Sequence, residues 1–315
     1  VKDFAGNTEQ SIHTEILQKL HKFYLSIWRF NMRKSGFIAL AVLFCAAHGV
    51  EAVTYRLFVH GRSGKSHCQT LSTVNDGTTD YNNYWGGAVT GLTNVRYVGF
   101  DGTKTGGAYS WSTCGAQKQL HDAIRVFCTG SNSCEIYTHS TGGLVVAAYF
   151  AQNNPSGVNV SRIQLMASAA GGSELANFST SYLAWLGFDT LGGELDQSVS
   201  TNGARLGFDH NRSGGRTYYT TSGEGSDYLN ATSPLLPGKD DGVLANHSLC
   251  NINQVADVGV SCTRGNAQLT ESYSCGFMWL NTCYKYHYRW TPYYTVYQGG
   301  GSHTHSKARY DYNRR

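Results

Sequence analysis

At 315 residues the chain is long enough for one large domain or two small ones. Only 15% of its residues are charged, against 37 glycines and 21 tyrosines, a composition that excludes a disordered tail and fits a loop-rich extracellular domain better than a cytosolic one. The formal charge of +4 is spread along the sequence without a dense Lys/Arg block inside the termini, so the electrostatic footprint of a nucleic-acid binder is missing.

The sequence starts with Val1, and residues 1–31 read as an upstream segment of unclear status outside the fold. Met32-Arg33-Lys34-Ser35-Gly36 then opens a different pattern: two cations, an apolar run from Phe37 to Ala47, and a small-residue end at Val50-Glu51-Ala52. These are the three parts of a secretory signal peptide, placed at 32–52. Its roughly 11 apolar residues fall well short of the ~20 that span a bilayer, so a membrane anchor is not expected. Phe44 before Cys45 also argues against a lipoprotein anchor. The mature domain is expected at 53–315, extracellular or periplasmic, with no transmembrane segment.

Along that domain, Val53 to Val59 is rich in β-branched and aromatic residues and ends at His60-Gly61, a strand running into a glycine-bearing loop. Val95 to Phe100 predicts a second strand. Leu120, Ile124 and Phe127 recur at helical spacing between Ala116 and Phe127. Cys134 to Thr138 predicts a third strand, with a helix from Gly143 to Phe150 directly after it, and Arg162 to Ala167 a fourth. From about 174 to 237 the pattern weakens into clusters such as Tyr182, Leu183, Trp185, Leu186 and Phe188, read as a cap-like insertion or a surface excursion. Tyr293 to Tyr297 predicts a last strand before a His-rich tail. Strands alternating with helices predict an α/β fold, a mostly parallel sheet with helices on both faces.

Setting Cys45 aside leaves an even number of cysteines, which behind a leader reads as a disulfide framework. Nearest-neighbour pairing gives Cys128–Cys134, Cys250–Cys262, Cys275–Cys283 and Cys68–Cys114. No pair has the C-x-x-C spacing of a zinc site.

The chemistry concentrates at Thr138-His139-Ser140-Thr141-Gly142, between a predicted strand and helix. A serine hydroxyl is a poor nucleophile until a base takes its proton and donors hold the oxyanion. A sharp strand-to-helix turn lifts the hydroxyl clear and aims backbone N–H groups at the reacting carbonyl. The run departs from G-x-S-x-G at Thr138, where glycine is expected. The loop Val59-His60-Gly61-Arg62 suits an oxyanion hole, with the N–H groups of Arg62 and Thr141 as donors. Downstream come an acidic turn, Lys239-Asp240-Asp241-Gly242-Val243-Leu244, and the tail Ser302-His303-Thr304-His305-Ser306. Nucleophile, acid and base in that chain order are the order of an α/β-hydrolase triad.

These segments resemble those of secreted α/β-hydrolase lipases and esterases of the triacylglycerol lipase type: the His-Gly after the first strand, the x-His-Ser-x-Gly-Gly elbow, the Asp-Gly-(Val/Leu) turn, and Ala167-Ser168-Ala169-Ala170-Gly171-Gly172-Ser173 after the elbow helix. The resemblance implies an α/β-hydrolase fold, with Ser140 as nucleophile and Asp241, directly before Gly242, as acid. The base is His305 or His303; His305 is preferred because Ser306 can cap a terminal helix and leave the preceding His at the loop end. The resulting expectation is a secreted carboxylic ester hydrolase working through an acyl-enzyme on small-molecule or lipid esters, with transient contact at a lipid interface and no cofactor. Trp185, Leu186 and Phe188 would line an acyl pocket or belong to the core. A His-x-His pair also suits zinc, with His247 or His287 completing it, but lacks a carboxylate or cysteine at matching spacing; no metal is expected. His67, His121 and His210 read as surface or packing residues. Two other readings stay open: a non-catalytic carbohydrate- or surface-binding module with a tyrosine-rich face, and an acyltransferase or peptidase using the same triad.

Overall fold

Six strands build one sheet, and five of them are runs that the sequence marks as apolar and β-branched. They are β1 (Thr54–Val59), β2 (Val95–Val98), β3 (Ser133–His139), β4 (Val160–Met166), β5 (Tyr218–Ser222) and β8 (Tyr294–Gln298). All neighbours are parallel, in the order β2-β1-β3-β4-β5-β8. A separate antiparallel hairpin pairs β6 (Gln268–Cys275) with β7 (Asn281–Tyr288). The computed structural model describes residues 51–68, 84–103, 105–178, 193–210, 212–228, 231–237, 240–250, 268–275, 281–288, 294–298 and 303–313, and Ala52–Arg315 forms one body. The leader up to Val50, with Trp185, Leu186 and Phe188, lies outside the described residues. Among those described, no helix is long and apolar enough to cross a membrane.

The strands alternate side chains between two cores, as the two-residue period of a strand requires. Leu57, Val59, Ile136, Ile163 and Leu165 face one side. There they meet helices α1 (Ala116–Phe127) and α2 (Thr141–Gln152) in the larger core cluster. Phe58, Tyr137 and Met166 face the other side with Trp85, Tyr97 and Ala308. Phe58 stacks on Tyr137 with ring centroids 5.1 Å apart and meets the edge of Trp85 at 5.0 Å. Short 3-10 turns at Gly86–Val89 and Lys307–Asn313 cover this second face. A parallel sheet buried on both faces accounts for the near-continuous apolar strands.

The helices differ in how they are read. α1 keeps Leu120, Ile124 and Phe127 inward, and its observed limits coincide with the predicted ones. α2 is buried from Thr141 through Ala151, so it carries no amphipathic stripe and its true start lies closer to Ser140 than composition indicates. The weakly patterned stretch after residue 174 is partly structured. It holds a 3-10 turn (Glu174–Asn177), α3 (Glu194–Val199) and α4 (Thr201–Leu206), then returns to the sheet as β5. Leu195, Val199, Ala204 and Phe208 extend the larger core.

Two disulfides tie loops to this frame, Cys68–Cys114 and Cys128–Cys134, with Cα atoms 5.1 and 5.2 Å apart. The pairings Cys250–Cys262 and Cys275–Cys283 fall outside what is described. β1 lies between β2 and β3, so the chain switches sides of the sheet there. A crevice opens beyond the strand ends at such a switch point. The loops at Gly61 and Ser140 occupy it. A parallel sheet of this order with a strand–turn–helix at its centre is the α/β-hydrolase fold.

Candidate active site

Ser140 sits between β3 and α2 with φ 56° and ψ −126°. A non-glycine residue held there stores about 1–3 kcal/mol of strain. Three backbone hydrogen bonds hold it: its N–H donates to the Met166 carbonyl at 3.1 Å, and its own carbonyl accepts from Gly143 and Ala169 at 3.0 Å each. Thr138, at the position where glycine is expected, ends fully buried in β3 between Val59 and Leu165. The tight approaches at the elbow fall on other glycines. A Cβ on Gly61 would lie 2.6 Å from Ser140 Cβ, and one on Gly142 would lie 2.4 Å from the Val59 carbonyl oxygen. The room that glycine normally provides at the first position is therefore not needed from Thr138.

The acidic turn places its two carboxylates differently. Asp240 Oδ1 accepts from the Gly242 N–H at 2.9 Å and from the Ser233 hydroxyl at 3.2 Å, and serves the turn itself. Asp241 is fully buried. Its Oδ1 accepts from the N–H groups of Leu244 at 2.8 Å and Val243 at 3.0 Å, and its Oδ2 accepts from His305 Nδ1 at 2.8 Å. The His305 N–H also donates to the Asp241 carbonyl at 3.0 Å. With Nδ1 donating to a carboxylate, Nε2 is left as the basic nitrogen.

His303 is not part of this contact; its carbonyl accepts from the Gly225 N–H at 3.0 Å. The capping argument that favoured His305 needs correction. Ser306 does not cap the terminal helix: its N–H and hydroxyl both donate to Asp227 Oδ2, at 3.0 and 2.7 Å. The helix start is served by Thr304, whose hydroxyl accepts from the Lys307 N–H at 3.4 Å and whose carbonyl accepts from the Ala308 N–H at 3.1 Å. His247, the zinc partner weighed for the His-x-His run, is engaged elsewhere. His247 Nε2 lies 2.7 Å from Glu174 Oε1, in a buried group with Arg205.

Ser140, Thr141, His305 and Arg62 line one cavity of about 320 Å³. Leu175, Val199, Val243 and Leu244 form an apolar wall, and Asp196, Tyr228 and Arg309 stand among its polar groups. The Arg62 side chain is tied down by Asp196, Nε to Oδ1 at 2.9 Å. Thr141 is the first residue of α2, where a helix N–H has no carbonyl partner in its own helix. Val243 and Leu244 of this wall belong to the acidic turn, Leu175 and Val199 come from stretches that the sequence pattern does not single out, and Trp185, Leu186 and Phe188 lie outside the described residues.

Two buried imidazoles that sequence patterning leaves without a role frame the site. His60 stacks on Phe100 at 4.1 Å. Its Nε2 accepts from the Phe100 N–H at 3.2 Å and its Nδ1 donates to the Gly61 carbonyl at 2.7 Å. Burial, reinforced by neighbouring His67, pushes its pKa down to about 3, so it stays neutral. His139 packs against His305 with ring centroids 4.8 Å apart, and burial followed by the proximity of His305 holds its pKa well below the usual value. His67 and His210 are buried, the latter against Phe208 at 3.8 Å, and His121 packs on Tyr149.

No protein-family model and no curated protein matches the chain. Among solved structures it is similar to phospholipase PlaB from Legionella pneumophila, at 17% identity over 80% of this chain and 54% of that one, with a TM-score of 0.42. A metagenomic carboxyl esterase matches at 17% identity over 61% of this chain and 60% of that one, TM-score 0.43. Esterase B from Lactobacillus rhamnosis, in an inhibited form, matches at 14% identity over 58% and 61%, TM-score 0.32. The chain spans about half the length of the phospholipase that it matches.

Proposed function

We propose that the chain is a secreted serine hydrolase that cleaves carboxylic esters through an acyl-enzyme on Ser140. The observation that carries the reading is the buried Asp241–His305 hydrogen bond with His305 and a strained Ser140 on the walls of one cavity. His305 Nε2 takes the Ser140 proton as Oγ attacks the ester carbonyl, and Asp241 orients the imidazole and stabilises its cation. The N–H groups of Arg62 and Thr141 receive the oxyanion. Collapse of the tetrahedral adduct breaks the bond to the alcohol, which leaves with the proton from His305. Water then attacks the acyl-enzyme, gives its proton to the same imidazole, and releases the acid and free Ser140. The apolar wall at Leu175, Val199, Val243 and Leu244 suits the acyl group. The two disulfides and the leader pattern support an extracellular or periplasmic location.

Turnover of a series of p-nitrophenyl acyl esters tests this assignment. Ser140→Ala and His305→Ala abolish hydrolysis, while His303→Ala retains it. Hydrolysis that survives His305→Ala undiminished overturns the base.

A further inference from the structure

Three segments far apart in sequence must hold register for this chemistry: the oxyanion loop at Gly61-Arg62, the elbow at Ser140, and the loop that carries His305. One hydrogen-bond chain runs through all three. The Gly61 N–H donates to the Tyr84 hydroxyl at 2.7 Å. Tyr84 donates to His139 Nδ1 at 2.7 Å, and His139 Nε2 donates to the His305 carbonyl at 3.0 Å. The donor order is forced from its last link. The His305 carbonyl can only accept, so Nε2 carries the proton; a neutral ring then presents Nδ1 as acceptor, so the Tyr84 hydroxyl donates to it. That hydroxyl is left to accept from Gly61. A second tie runs alongside: Arg309, four residues beyond His305, donates to the Tyr84 carbonyl and sets its guanidinium 5.7 Å from the Tyr84 ring centroid.

The Gly61 peptide groups are consequently fixed on both sides, the N–H by Tyr84 and the carbonyl by His60. The Gly61 carbonyl and the Arg62 N–H belong to one planar peptide unit. Holding the carbonyl on His60 therefore sets the direction of the N–H proposed for the oxyanion.

We propose that Tyr84 and His139 are positioning residues that couple the oxyanion loop to the His305 loop through the elbow. The proposal rests on Ser140 and His305 being the reacting pair. Both residues border the cavity that Ser140 and His305 line, and the role assigned to them is to keep donor and base in register with Ser140. A misplacement of about 1 Å costs about a hundredfold in rate.

Tyr84→Phe, His139→Leu, His139→Gln and the double variant Tyr84→Phe/His139→Leu test it by two readouts on the full chain. The first is ester hydrolysis. Tyr84→Phe and His139→Leu each lower kcat about ten- to a hundredfold with KM within about twofold. The double variant is no worse than the poorer single, because both changes break one chain. His139→Gln recovers part of the loss, since its amide offers one acceptor and one donor. The second readout is amide hydrogen exchange, which needs no turnover. Tyr84→Phe speeds exchange in the peptide covering 303–307 as well as in 60–63, and His139→Leu does the same in reverse.

Multiplying kcat losses, or exchange confined to the loop next to each substitution, overturns the coupling. A wild-type protein without hydrolysis refutes the catalytic reading and the rate part of the proposal, while the exchange pattern still decides whether the loops are coupled.

Discussion

Replacing Asp241 by Asn isolates one atom of the site. In the wild type Oδ1 accepts two backbone N–H groups and Oδ2 accepts the His305 Nδ1 proton at 2.8 Å. The amide oxygen of Asn can keep the two backbone bonds, so the NH2 group turns toward the ring. Nδ1 must then accept, which moves the ring proton to Nε2, where it faces the serine and removes the base. The charge that would stabilise the imidazolium is also gone. In triads of this kind the change lowers kcat about 10⁴-fold, equivalent to about 5.4 kcal/mol at 1.36 per tenfold. Folding suffers less, because the three hydrogen bonds persist in uncharged form and only their charge assistance is lost. Initial rates on a p-nitrophenyl ester, paired with urea unfolding of the same preparation, separate the two effects. An Asn variant that keeps a tenth of wild-type kcat while folded refutes the role given to Asp241.

The remaining predictions concern stability and the loop geometry. His60 protonates near pH 3 in the fold but near 6.5 when unfolded, and His210 is lowered by burial to about 4. Between those values the unfolded chain binds more protons. The stability these residues contribute is therefore complete above about pH 6.5 and drains as pH falls, by about 1.4 kcal/mol per pH unit for each. Urea unfolding from pH 7 to 4 measures the slope, and His60→Gln lessens it; an unchanged slope rejects the assignment. Glu174 is buried between Arg205 and His247. Burial alone would raise its pKa, but the hydrogen bond and charge of His247, with Arg205, outweigh that and hold it low. Glu174→Ala leaves Arg205 buried without its carboxylate and lowers unfolding free energy by about 3–5 kcal/mol; a loss below about 1 kcal/mol contradicts this. Gly61→Ala drives a methyl group toward Ser140 Cβ and the His139 carbonyl, and the displaced loop lowers kcat about a hundredfold. An Ala variant with wild-type kcat shows that the oxyanion loop is not constrained as described.

What the sequence shows of this molecule follows where the periodicity is strong. α1 is legible because Leu120, Ile124 and Phe127 face the sheet while Arg125 and Val126 face water. β5 is not legible, because Tyr-Tyr-Thr-Thr-Ser after a glycine-rich run carries no aliphatic signal and becomes a strand only by pairing with β4 and β8. The β6–β7 hairpin, built on Thr, Ser and Tyr, is hidden for the same reason. At the site, local motifs reveal Ser140 and the Asp241 turn. Tyr84 could not be found that way, since its partners lie 23 and 55 residues away. His139 carries a sharper lesson. It looks like a filler position inside the elbow motif, yet both ring nitrogens are engaged by other segments. Pattern favours His305 over His303 only through the Ser306 capping argument, and what separates them in the fold is the contact of His305 with Asp241, through Nδ1 and through the backbone.

The central claim, that Ser140 is an activated nucleophile, is tested most directly by a fluorophosphonate probe on folded, correctly oxidised protein. One adduct forms, peptide mapping places it on Ser140, and Ser140→Ala abolishes it. Labelling that persists in Ser140→Ala, or no labelling of the wild type, contradicts the account.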